Sequence, residues 1–144
     1  MHAKATYDDA RLILKLYEAR REDRMRKARA WFVASFKPKT LSDLKALCPP
    51  GSDENASYRM VATYWEMVAS FVTSGVLNRE LFFESGRELL LVWERLRDVV
   101  PAIREDFKDP KYYANLEAVA TDYIEYLGHR GPDTYKAFSA RVRG

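Results

Sequence analysis

An all-α fold, an irregular bundle of about six or seven helices, is what this sequence predicts. Three observations carry that expectation. Six Gly and six Pro fall mostly between segments whose apolar residues recur at steps of three and four. No segment alternates apolar and polar residues in the manner of a half-buried strand, and no internal repeat is visible. The 144 residues are 47% apolar and 31% charged, an ordinary globular mixture and enough for one domain over residues 1–144.

Residues 1–6 precede the first periodic pattern and are expected to be disordered. A long first helix over about residues 7–36 follows, with Thr6 or Asp8 as its cap, acids in its first turn and Pro38 beyond its end. Thirty helical residues would span roughly 45 Å. A domain of this size has a radius of gyration of only about 14–15 Å, so this helix is expected to overhang the bundle. Thr40 and Asp43 form a capping box for a short helix through Leu41, Leu44 and Leu47, which Pro49, Pro50 and Gly51 stop.

The next helix, about residues 54–74, closes on Gly75 and is apolar almost all round, which places it in the middle of the bundle. Asn78 caps a short helix through Leu81, Phe82 and Phe83 that breaks near Gly86. Leu89, Val92, Trp93, Leu96, Val99, Ile103 and Phe107 continue one apolar stripe, in which Pro101 must either kink the helix or restart it. Asp109 and Pro110 are expected to open a helix carrying Tyr112, Leu116, Val119, Tyr123 and Leu127 and ending at Gly128. A last helix covers residues 133–142.

Two elements carry information about function. The polar residues of the central helix are Arg59, Thr63, Glu66, Ser70 and Thr73, at steps of four, three, four and three. That narrow strip either lines a groove with Glu66 as its ionisable centre, or is the one solvent-facing edge of a buried helix. A buried Glu66 would need an Arg or Tyr partner, because an unpaired buried carboxylate is costly.

The first helix is the other. Its stripe reads Tyr7, Ala10, Leu14, Tyr17 and Arg21, then Met25, Ala28, Phe32 and Phe36. Between the apolar ends lie Arg20, Arg21, Arg24, Arg26, Lys27 and Arg29 against Glu18, Glu22 and Asp23, an excess of three that equals the net charge of the chain. A basic run of this kind could follow a phosphate backbone. Glu22–Arg26 and Asp23–Lys27 at i,i+4 partly neutralise it, and no aromatic residue interleaves it, which argues against nucleic acid. A solvated, self-paired helix explains the charged middle but leaves Tyr7, Leu14 and Tyr17 without a place to be buried. Packing of that end against a second copy gives them one. A homodimer through the first helix, with Tyr7, Leu14, Tyr17 and Arg21 at the interface, is therefore expected.

Other chemistry finds little support. One cysteine, Cys48, forms no internal disulfide, and with only His2 and His129 it builds no zinc cluster. Cys48 reads as a small core residue and His129 as part of an exposed turn. No nucleophile elbow and no phosphate-cradling glycine loop occurs, so neither a catalytic residue, a metal nor a cofactor is expected. Without an apolar leader or a stretch near the ~20 residues of a membrane helix, a cytoplasmic protein with no membrane contact is expected.

The combination Tyr64-Trp65-Glu66 through Gly75-Val76-Leu77, Trp93-Glu94-Arg95-Leu96 with Arg104, and Pro110-Lys111-Tyr112-Tyr113 with Glu117 resembles a family of small all-helical bacterial proteins known only as a domain of unknown function. The similarity runs over roughly residues 7–127. Some members carry a membrane anchor ahead of the domain, and these 144 residues show none. The resemblance implies no activity. It singles out Glu66, Trp93, Arg104, Tyr113 and Glu117 as ligand-binding candidates, with Arg104 expected to pair with Glu66 or Glu117. The leading functional expectation is a non-enzymatic, homodimeric interaction module. A small-molecule site or enzyme around Glu66 and Arg104 is the alternative, and a nucleic-acid accessory role for residues 20–29 a weaker one.

Overall fold

The computed structural model describes residues 3–144; the expectation of disorder over residues 1–6 rests partly on residues 1 and 2, which lie outside it. Nine helices and no strand form among the described residues. They are α1 (Tyr7–Arg20), α2 (Asp23–Ser35), α3 (Leu41–Leu47), α4 (Asp53–Thr73), α5 (Arg79–Phe83), α6 (Arg87–Leu96), α7 (Val100–Phe107), α8 (Ala114–Arg130) and α9 (Thr134–Arg143).

Local chemistry sets most boundaries. Thr6 accepts the Asp9 N–H while Asp9 accepts the Thr6 N–H, and Thr40 with Asp43 repeats that box at α3. Ser52 and Asn78 cap α4 and α5. Gly75 takes a φ of +84°, a conformation costly for any residue with a side chain, and closes α4. Pro101 restarts rather than kinks: Arg97 and Asp98 turn the chain, and α7 begins with the proline in its first turn, where no backbone bond is lost.

α4 is central. It packs most extensively between α2 and α8, and α6 joins it while also meeting α8 and α9. Its buried residues are Ser57, Tyr58, Val61, Ala62, Trp65, Val68, Ala69 and Val72, a wide face at helical spacing. Aromatic stacking continues the core into α2, where the Phe36 ring lies 4.4 Å from Phe32 and 5.0 Å from Tyr58. On the other side Phe82 packs directly over Gly86. A Cβ there would fall 2.3 Å from the ring, so glycine is required for close approach.

Three boundaries differ from expectation. The single helix over residues 7–36 is two, broken at Arg21–Glu22. The Glu22 carboxylate accepts the Arg24 and Met25 N–H groups as the cap of α2, instead of pairing with Arg26. α1 consequently lies against the body rather than overhanging it. Asp9 accepts the Asn78 N–H at 2.8 Å, Tyr64 O–H donates to the Leu16 carbonyl, and Arg29 donates to the Arg20 carbonyl. Asp109 and Pro110 do not open α8. Asp109 instead accepts the Lys111 N–H in a turn, and Tyr113, at φ +60°, precedes the first helical residue. Finally, α8 runs through Gly128 to Arg130 and stops at Gly131, so His129 sits in its last turn, exposed.

Candidate functional site

The polar strip of α4 divides in two. Arg59 and Thr63 face solvent, and the Thr63 hydroxyl bonds back to the Arg59 carbonyl. Glu66, half-buried, turns to α8: one carboxylate oxygen accepts the Leu116 N–H and the other the Asn115 side-chain amide, both at 2.8 Å. Thr73 donates to the same Asn115 at 2.7 Å. Tyr113 has no side chain able to cap α8, so its exposed N–H groups and positive dipole end meet a carboxylate supplied by α4.

Arg104 pairs with Glu117, not Glu66. Its guanidinium donates to Glu117 at 2.9 Å and to the Tyr112 carbonyl at 2.8 Å, closing the turn between α7 and α8. Tyr113 turns inward and is buried, its hydroxyl 2.8 Å from that of Tyr58. Burial raises both phenols, Tyr58 to about 12 and Tyr113 further. Glu66, Arg104, Tyr113 and Glu117 thus gather around the start of α8. Trp93 is buried in α6 and makes no ring pair or hydrogen bond with them.

On α1 the side chains at Tyr7, Leu14 and Tyr17 are 86%, 61% and 49% exposed, while Leu12, Ile13 and Leu16 turn inward against the core. Arg21 ends this outward line, its guanidinium 5.6 Å from the Tyr17 ring. The basic run is dispersed. Arg24 donates to Ser57, Arg26 lies 4.0 Å from Asp23, and Arg29 makes a two-pronged bond to Glu88 at 2.8 and 3.0 Å. Glu88 also accepts the Trp65 indole N–H at 3.1 Å.

Two neighbouring residues of α6, Glu94 and Arg95, receive no role from the sequence beyond their place in the resemblance. Glu94 is 1% exposed and accepts from Tyr135 and Ser139 of α9 at 2.9 and 2.6 Å. Arg95, 8% exposed, donates to the carbonyls of Phe32, Phe36 and Val142, joining the ends of α2 and α9. The sequence signal was the charged pair inside an otherwise apolar stripe. Cys48 is a buried free thiol, raised by burial to about 11 and hence inert.

With this geometry in view, the comparisons are sparse. A domain of unknown function, DUF4760, matches residues 5–123. The chain belongs to that family. The match takes in α1 through most of α8, and with them the Glu66 cap and the Arg104–Glu117 pair. Comparison with curated proteins and with solved structures gives no match. Among the described residues no helix is long and apolar enough to cross a membrane, and no three His, Cys, Asp or Glu side chains gather as metal ligands.

Proposed function

We propose that this chain is a non-enzymatic protein–protein interaction module that pairs with a second copy through the outward face of α1. The observation that carries this reading is the exposed line Tyr7, Leu14 and Tyr17 on a helix whose opposite face is already satisfied. With Ala10 and Arg21, these residues follow steps of three and four, the seam spacing of paired helices. Charge supports an antiparallel second copy. α1 carries Asp8 in its first turn and Arg21 as its C-cap, so each acidic start would lie beside the other's basic end, and the helix dipoles would oppose.

A 14-residue helix offers only about 21 Å of contact, less than a standard interface. Both surfaces are preformed, so little ordering entropy opposes docking, and association in the range of tens of micromolar is expected. Sedimentation equilibrium should show a monomer–dimer equilibrium that Leu14→Asp shifts to monomer without lowering thermal stability. A native chain that stays monomeric at several hundred micromolar overturns the reading.

A further inference from the structure

Between α1 and α4 lies a groove of about 320 Å³, walled by Ile13, Leu16, Trp65, Val68 and Phe82. Its charged lining is a single guanidinium. The Arg20 guanidinium lies over two rings, 5.2 Å from that of Tyr17 and 5.3 Å from that of Trp65. The Arg20 side chain makes no ion pair and no hydrogen bond with any described residue. Glu88, the acid bonded to Trp65, is already neutralised by Arg29. One uncompensated cation thus borders a cleft that is otherwise almost wholly apolar.

We infer that this groove binds a small amphipathic monocarboxylate, its acyl body against Trp65, Val68 and Phe82 and its carboxylate on the edge of Arg20. Each part of that chemistry follows from the lining. Mostly aromatic and aliphatic walls bury hydrocarbon, and with the Tyr64 hydroxyl already bonded to the Leu16 carbonyl they offer few partners to the many hydroxyls of a sugar. The guanidinium N–H groups make no hydrogen bond with a described residue, and that planar fork matches a carboxylate. The volume equals that of about ten waters, which suits a chain of about eight to ten carbons. The site is distinct from the cluster at the start of α8, but Leu14 and Tyr17 border it as well as the proposed α1 seam, so a second copy would sit at its mouth.

The test is a calorimetric titration of the full chain with decanoate below its micelle concentration, with decanol as the uncharged control. Saturable 1:1 binding in the range of tens of micromolar is expected. Arg20→Gln and the exchange of decanoate for decanol should each weaken it about tenfold or more. In a nitrogen–proton correlation spectrum, decanoate should shift the Trp65 indole signal. Absence of saturable binding overturns the site, and an unmoved Trp65 signal overturns its location. Equal affinity for decanoate and decanol overturns the role of Arg20, even if Arg20→Gln fails to fold.

Discussion

Glu66 of α4 accepts the backbone N–H of Leu116, 50 residues later, at 2.8 Å. One long helix therefore supplies the cap of the other, and the start of α8 is fixed in height against the centre of the bundle. A cap is ordinarily local, worth about 1 kcal/mol. Here it comes from a helix already buried along most of its length, and it holds its position without the entropy cost of a mobile loop.

Glu66→Ala should lower stability by about 1–2 kcal/mol, and Glu66→Gln by less, because an amide oxygen still accepts one N–H. Urea unfolding measures both. Equal stability of native and Glu66→Ala chains would show that the carboxylate is not the cap.

Arg95→Met should cost more, about 2–4 kcal/mol, since it strands carbonyls of α2 and α9 in a nearly dry setting. Hydrogen exchange should quicken in α9 and at the end of α2 before it does in α4. Uniform quickening throughout the chain would count against Arg95 as a local tie.

Alkaline pH should unfold the protein through its buried phenols. Tyr58 keeps its proton to about 12, whereas the unfolded chain ionises it near about 10. Stability from this group is whole below about pH 10 and falls between about 10 and 12, by about 1.4 kcal/mol per pH unit, because the folded state then binds more protons. Tyr113, raised further, adds to the same slope. Tyr58→Phe should flatten the slope in urea titrations at several pH values, and an unchanged slope would place the loss elsewhere.

Gly86→Ala places a methyl group inside the volume of the Phe82 ring, and the ring must move. A loss of about 1–3 kcal/mol is expected in thermal or chemical unfolding. Gly128→Ala makes the control. Nothing lies within 4 Å of its added Cβ, and alanine in the last turn of a helix should be neutral or stabilising.

The sequence disclosed what is decided locally. Thr6, Thr40 and Asn78 are caps by their chemistry, Gly75 a stop by its freedom at positive φ, and α4 central by its apolar girth. It misled where the deciding contact is distant or ambiguous. Glu22 reads equally well as a helix residue paired to Arg26 or as a cap, and no Gly or Pro marks the break. The start of α8 is hidden because its cap lies in α4, and the turn at Asp109 mimics a helix opening. Within the candidate cluster the Arg104–Glu117 pair was legible as one of two options. The roles of Glu94 and Arg95 were not, because their partners lie on α9 and, for Arg95, at the end of α2 as well, 41 to 63 residues away.

Glu94 and Arg95 also have a meaning for how α9 finds its seat. An apolar strip alone would let a ten-residue helix slide by a turn at little cost. A buried carboxylate opposes this: beside Arg97 at 3.6 Å it still needs the hydroxyls of Tyr135 and Ser139 from α9, and Arg95 meets the Val142 carbonyl only at the same height. The pair works like the wards of a lock, admitting one alignment of α9 and turning away its near neighbours.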